Sequence, residues 1–318
     1  MSGAELLMAG ALDAKYGDPR RLPHPVRVMG RCIAWFDDRI RRICRSGIGL
    51  RFAGICLAGG LPIVSYWIAA VMIEEAGRVA WWLGSVLSIG LAWMTLAARD
   101  LWDHVRDVHY PLDAGDLPAA RRAVAMIVGR DTAELSESGV ARATVETVAE
   151  STADGVVAPL LYLAVGGAPL ALAYKAVNTL DSMIGHRDAR YTDLGWASAR
   201  LDDLANWIPA RLTAILLIVG AGLTTGQLGR MRNGWRVLQR DGSLHPSPNS
   251  GRPEAAMAGL LGVRLGGTNF YDGTAHHRPM LGQEGREARS SDITLAAKVM
   301  VAAALLGLSV AVGFRCLV

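Results

Sequence analysis

Lysine is almost missing from this chain. Of its 33 basic residues only Lys15, Lys175 and Lys298 are lysines, so nearly every cation is a guanidinium, the planar fork that suits phosphate or carboxylate. The scarcity also excludes a P-loop, because no lysine stands in the G-x-x-x-x-G-K-[ST] pattern. The four cysteines, Cys32, Cys44, Cys56 and Cys316, form no C-x-x-C pair and have no histidine at metal-ligand spacing; they read as buried small residues or free thiols. Aromatic residues are 6% of the chain and no basic helix is interleaved with them, which argues against a nucleic-acid surface. There is no G-x-S-x-G elbow and no H-E-x-x-H, and the seven histidines are scattered, with His276-His277 reading as a polar loop pair. The first residues, "MSGAELLMAGALDAKYGD", lack a basic n-region; they read as a short helix that inserts partly or leans on its neighbours, not as a signal peptide.

Apolar sequence, by contrast, is abundant. Over 318 residues, 51% hydrophobic content and a mean hydropathy of +0.25 place the chain among membrane-embedded proteins. The runs Phe52 to Ile73, Val79 to Ala98, Gly155 to Tyr174 and Leu212 to Gly229 carry no charge, and Ile293 to Phe314 carries only Lys298, which can snorkel. Each is close to the roughly 20 residues that cross a bilayer as a helix. The fold class is therefore all-α and polytopic, a single membrane-embedded domain over 1–318 with about four to six embedded helices. Polar loops at 14–51, 99–154, 175–211 and 230–292 connect them.

Two runs have internal detail. "EEAG" at 74–77 is an acidic connector that makes the first two runs a hairpin. In "GVVAPLLYLAVGGAPLALAY", Pro159, Gly166, Gly167 and Pro169 predict a helix that breaks, either re-entering on one side or crossing with a kink. Residues 20–51 hold nine arginines against Asp37 and Asp38, which makes that loop cytoplasmic.

Ionisable residues collect where these runs end. "ESGVARATVETVAES" predicts a helix from Glu137 that puts Arg142, Glu146 and Glu150 on one face, as in a salt-bridged surface helix or a functional one. In "YKAVNTLDSMIGHRDARY" Lys175, Asn178 and Asp181 or Ser182 share a face, and in "ARLDDLANWIPARLTA" Asp202 and Asn206 are four apart. "HPSPNSGRPEAAMAGLLGVRLGG" reads as a turn at Asn249 and Gly251, a helix starting at Pro253, then a second Gly-rich turn. Asp, Asn and Glu without thiols suit a hard cation such as Mg²⁺, and the neighbouring Arg and Lys suit a polyphosphate.

Seven stretches, in order from residue 15 to about 275, carry a resemblance: "KYGDPRRLPHPVRVMG", "GRDT", "RATVETVAES", "DGVVAPLLY", "YKAVNTLDSMIGHR", "RLDDLANWIPARLTA" and "HPSPNSGRPEAAMAGLLGVRLGG". Together they resemble the adenosylcobinamide-phosphate synthase family of cobalamin biosynthesis, the CobD/CbiB proteins. Ser151 stands where that family typically has Asn. The resemblance implies an enzyme, an ATP-dependent ligase. It would join the propionate carboxyl of the corrinoid adenosylcobyric acid to (R)-1-amino-2-propanol or its O-phosphate, at the cell inner membrane with the site facing the cytoplasm.

On that resemblance, Glu146, Glu150 and Asp181 are the catalytic candidates. Arg130, Arg142, Lys175, Asn178, His186, Arg187, Asp202, Asn249 and Arg252 are the candidates for substrate and phosphate binding. Asp131, Glu150, Asp154 and Asp181 are the candidates for Mg²⁺, with Glu146, Glu150, Asp154 and Asp181 gathered at one spot of the membrane edge. ATP and Mg²⁺ are the implied cofactors, the corrinoid, the amine and membrane lipid the implied partners, with other corrinoid-pathway membrane enzymes as further ones. A transporter or channel, in which broken helices line a path, and a non-catalytic scaffold for corrinoid enzymes are the rival readings.

Overall fold

The computed structural model describes residues 1–18, 23–44, 46–186, 188 and 190–317. In chain order its elements are α1 (Gly3–Tyr16), α2 (Pro25–Ile43), α3 (Gly47–Val79), α4 (Trp81–Trp93), α5 (Ala98–Asp113), α6 (Leu117–Ala125) and α7 (Glu137–Thr152). A π-helical turn (Ala153–Val157) leads into α8 (Ala158–Ile184), followed by α9 (Trp196–Ala205), α10 (Trp207–Thr225), α11 (Leu228–Asp241) and α12 (Gly251–Leu261). The strands β1 (Leu265–Tyr271) and β2 (Thr274–Leu281) and the helix α13 (Ser290–Leu317) complete the chain. Among the described residues, five helical stretches are long and apolar enough to cross a membrane: Gly47–Val79, Trp81–Asp113, Glu137–Ile184, Trp207–Thr225 and Ser290–Leu317. They coincide with the five apolar runs of the sequence, and the chain is an all-α polytopic membrane protein with one small β-hairpin.

The chain divides into two compact units. One comprises Met1–Ala97, Ala158–Asn206 and Leu308–Val318; the other comprises Ala98–Val157 and Trp207–Gly307. The connecting segments that read as polar loops are themselves largely helical, as α2, α5, α6, α7, α9, α11 and α12 show.

In the first unit, α1 starts at a capping box in which Ser2 and Glu5 satisfy each other's backbone N–H. It leans on α4, burying Leu6 and Ala9, the second of the two outcomes read from its sequence. The helix α3 turns small residues inward (Ala53, Gly54, Ala58, Ala69) and leaves Ile55, Ile63, Val64, Trp67 and Ile68 exposed. That inversion suits a helix whose outer solvent is lipid, where close backbone approach replaces hydrophobic exclusion. A Cβ on Gly54 would collide with the Leu194 carbonyl. The expected "EEAG" connector is instead the last part of α3, where Arg78 pairs with Glu74 at 2.6 Å and Glu75 at 2.5 Å. Chain reversal needs only the extended Ala80 between α3 and α4.

The break predicted at 166–169 falls at Gly167, whose φ of 68° and ψ of −164° belong to a region that only glycine occupies freely. The chain turns back on itself there. Tyr162 and Tyr174 would be about 18 Å apart along a straight helix, yet their rings stack with centroids 4.8 Å apart and planes 16° from parallel. α8 is thus a hairpin of two half-helices. The Arg315 guanidinium donates to the Leu163 carbonyl at 3.5 Å, four residues before the break.

The second unit is built around α12, of which every residue from Pro253 to Leu261 is buried. Its apolar core joins Val105, Val140, Val145, Leu217, Met257, Leu260, Ile293 and Met300. After the left-handed cap at Gly262 come the two antiparallel strands, joined by Asp272 (φ 48°) and Gly273 (φ 74°). Two successive positive φ values make the turn whose twist matches a hairpin, and Asp-Gly is its usual sequence. His276 and His277 lie on β2 rather than in a loop, paired with Asn269 and Thr268. The four cysteines are free, but Cys32, Cys56 and Cys316 are exposed rather than buried.

Candidate functional site

In each unit, candidate residues gather in a buried polar centre. In the second unit the centre lies where α7 and α12 meet the hairpin. Ser136 caps α7 at the predicted start, and the i, i+4 spacing then stacks Arg142, Glu146 and Glu150. This is no surface helix: Glu146 is 8% exposed. Its Oε2 accepts from Arg130 Nη2 at 2.7 Å and its Oε1 from the Gly266 N–H at 2.7 Å. The Arg142 guanidinium donates to the Gly266 carbonyl and, at 3.3 and 3.2 Å, to the Thr268 carbonyl and Asn269 Oδ1. Arg130 Nη1 donates to the same Asn269 oxygen. Arg130 and Arg142 therefore fasten β1 to α7 with their terminal nitrogens. Their Nε atoms, with Arg252 Nε and Asn269 Nδ2, are buried and have no hydrogen-bond partner among the described residues.

The α12 side of this centre is acidic. Glu150 Oε1 accepts from the Ser250 hydroxyl at 2.8 Å, and Glu254 follows one turn into α12, 2% exposed. Burial first, then the charges of Glu146 and Glu150, hold the Glu254 carboxyl well above the usual carboxylate range, against the opposing pull of Arg278 and Arg130. His245 Nδ1 accepts from the Ser247 N–H at 3.0 Å, and its Nε2 is 3.4 Å from Arg278 Nη1. Burial and then Arg278 lower its pKa, which keeps the imidazole neutral at pH 7. Asn249 is buried in the same Ser-rich turn.

In the first unit the centre lies between the second half of α8 and α9. Asn206 Nδ2 is 3.0 Å from both oxygens of Asp202, and its Oδ1 accepts from the Tyr174 hydroxyl at 2.9 Å. Tyr162, stacked on Tyr174, donates to the Ala205 carbonyl at 2.9 Å. Burial foremost, then the Asp181 carboxylate, push the Asp202 carboxyl up to about 7, while hydrogen bonds from Asn206 and Asn178 pull the other way. Lys175 and Asn178 stand on the same half-helix of α8, about two turns and one turn before Asp181 respectively.

The remaining candidates are placed as follows. Asp131 Oδ2 accepts from the Gly273 N–H at 2.8 Å, and the Asp131 N–H donates to the Phe270 carbonyl at 2.8 Å, so this residue pins the hairpin turn. Asp154 is half-buried in the π-helical turn. His186 is exposed just beyond α8, and Arg187 lies outside the described residues. Among the described residues no three His, Cys, Asp or Glu side chains are grouped to hold a metal ion. Of the Mg²⁺ candidates in the second unit, Asp131 serves the hairpin turn and Glu150 takes a serine hydroxyl; in the first unit the charge of Asp181 acts on Asp202. The third carboxyl beside Glu146 and Glu150 is Glu254.

The sequence reading passed over Glu254, His245, Asn269 and Arg278. A signal existed for the last two: Asp272-Gly273 between β-forming residues marks the hairpin that carries them.

Helical spans with buried polar centres define a multi-pass membrane protein of the kind that keeps its ionisable chemistry at particular sites. The family model described as CobD/Cbib protein matches residues 6–300, and this chain belongs to that family. It is 51% identical over 284 residues to the cobalamin biosynthesis protein CobD of Geobacter metallireducens, covering 88% of this chain and 86% of that one. Against CobD of Klebsiella pneumoniae it is 43% identical over 309 residues (97% and 96%), and against the cobalamin biosynthesis protein CbiB of Salmonella typhimurium 41% over 312 residues (97% and 96%). These shared names support a role in cobalamin biosynthesis. No solved structure matches the chain.

Proposed function

We propose that the protein is an ATP-dependent carboxylate–amine ligase of the inner membrane, its site facing the cytoplasm. It joins the propionate carboxyl of adenosylcobyric acid to (R)-1-amino-2-propanol or its O-phosphate. Family membership gives the pathway; the observation that carries the reaction class is the split polarity of the centre in the second unit. On the hairpin side stand the Nε groups of Arg130 and Arg142 and the Nδ2 of Asn269, with Arg252 Nε on α12, none hydrogen-bonded among the described residues; on the other stand the carboxyls of Glu150 and Glu254. Donors of that kind suit a carboxylate or phosphate, and acids suit an amine, the two groups an amide ligation must bring together.

A carboxylate does not acylate an amine at neutral pH, so its oxygen must first become a better leaving group by phosphoryl transfer from ATP. Buried guanidinium N–H groups are worth most where charge shifts onto phosphate oxygens. The balance is RCOO⁻ + ATP⁴⁻ + R′NH₃⁺ giving RCONHR′ + ADP³⁻ + HPO₄²⁻ + H⁺: one carboxylate oxygen leaves in phosphate. Of the three ammonium protons one stays in the amide, one leaves with phosphate and one is released. Among the described residues no three His, Cys, Asp or Glu side chains are grouped to hold Mg²⁺, so a magnesium ion here would be held chiefly by nucleotide phosphates. Substrate carrying ¹⁸O in the propionate tests the route. Label in inorganic phosphate, one atom per amide formed, supports it, and label retained wholly in unreacted corrinoid and water contradicts it.

A further inference from the structure

The helix α11 begins where a membrane span ends. The span α10 stops at Thr225, Gly226 turns the chain with a φ of 66°, and α11 starts at Leu228. Its inner side is fixed. Gly234, Val237, Leu238 and Asp241 are buried, and a Cβ on Gly234 would lie 2.7 Å from Leu260 Cδ2 of α12. Its outer side is uncovered. Leu228 and Trp235, seven residues apart and so in one row, are exposed, as is Leu223 in the last turn of α10, so the apolar surface of the span continues onto α11. Arg232 and Arg236, four apart, form the adjoining exposed row.

The charge on this helix has one sign. Of its four arginines, Arg240 pairs with Asp241 at 2.6 Å and with Glu284. Arg230 donates to the neutral oxygens of Gln227 and Leu260, and Arg236 to that of Asn233. Asp241 is the single acid of α11, so Arg230, Arg232 and Arg236 stand outside any ion pair among the described residues. An apolar row beside a basic row suits a helix lying along the bilayer surface, acyl chains against the first and anionic headgroups against the second. Continuity selects the occupant: what covers Leu223 on the span also covers Leu228, and around a span that is lipid.

We propose that the outer face of α11 is a docking surface for anionic phospholipid, with Leu228 and Trp235 against the upper acyl chains and the Arg232 and Arg236 guanidiniums on the headgroup phosphates. This surface is independent of the reaction the protein catalyses. Full-length protein is reconstituted into phosphatidylcholine bilayers in which a fixed minor fraction of the lipid is brominated high on its acyl chains, as phosphatidylcholine in one series and phosphatidylglycerol in the other. Quenching of Trp235 is read as the difference between wild type and Trp235→Phe. Both lipids quench it, the phosphatidylglycerol more strongly, by a local enrichment of about fivefold for each arginine engaged. Arg232→Gln with Arg236→Gln brings the two lipids level and leaves the quenching by phosphatidylcholine in place.

High salt narrows the preference in wild type, because headgroup attraction at an exposed face is screened. That arm needs no charge variant, so it decides the matter if melting curves show that the double variant fails to fold. Equal quenching by the two lipids at low salt overturns the proposal, as does a phosphatidylglycerol preference that survives high salt or the folded double variant. Quenching by neither lipid overturns it too; a dimer in mass photometry that Trp235→Phe abolishes would then assign the face to a second copy of the chain.

Discussion

The two polar centres tolerate buried carboxyls by different means. Around Glu146 the negative charge is met by a guanidinium, in a pair whose side chains are only 6% and 10% exposed, and by a backbone N–H. Around Asp202 stand the amides of Asn206 and Asn178, with Asp181 as a second acid. The first arrangement pairs a carboxylate with a guanidinium and ties a hairpin to a helix. The second exchanges a proton near neutrality. Residue types that look alike in the sequence thus end in opposite electrostatic roles, decided by which N–H groups the fold brings to them.

The comparison breaks most visibly at Glu146. Glu146→Ala leaves the Arg130 guanidinium buried without its carboxylate and frees the Gly266 N–H, a loss of about 3–5 kcal/mol for a pair of this kind. Thermal unfolding in detergent should show a large fall in Tm and amide formation should vanish; an unchanged Tm would mean that the pair does not hold the hairpin. Next in size is Gly167→Ala, which puts a side chain where φ is 68° and ψ is −164° and costs about 1–3 kcal/mol. Because the reversal at Gly167 brings Tyr174 back beside Tyr162 and to Asn206, the variant should lower Tm, and an unchanged Tm would show that the reversal does not need a glycine.

The smallest effect concerns pH. Asp202 has a folded pKa of about 7, raised above the ordinary carboxylate value, so the folded protein holds its proton more tightly than the unfolded chain. The associated stability is complete below about pH 4, declines as pH rises and is gone above about pH 7. Asp202→Asn removes that slope. Its Tm should therefore fall less than that of wild type between pH 5 and pH 8, on the order of one proton's worth of linkage. Parallel Tm profiles would show that Asp202 does not titrate there.

Much of this was legible in the sequence, for identifiable reasons. Uncharged runs found the spans, since a bilayer fixes how long such a run must be. The i, i+4 spacing found Arg142, Glu146 and Glu150 on one face, and Gly166-Gly167 with Pro169 found the break in α8. The partners of those residues were not legible. Gly266 and Asn269 reach Glu146 and Arg142 across more than a hundred residues, and no local pattern reports such a pairing. Glu254 reads as an ordinary first-turn acid of α12 until that helix is seen to be buried on all sides. Glu254 could not be placed beside Glu146 and Glu150 from the sequence, because spacing along one helix says nothing of what packs on it.

The most direct test of the ligase account is ATP hydrolysis by the purified full-length protein with Mg²⁺, measured with adenosylcobyric acid and (R)-1-amino-2-propanol or its O-phosphate added singly and together. ADP release only when corrinoid and amine are both present, with one ADP for each amide formed, is the predicted result. ADP release at one rate whatever is added, or amide-free transport or binding of corrinoid with no nucleotide consumed, would contradict it.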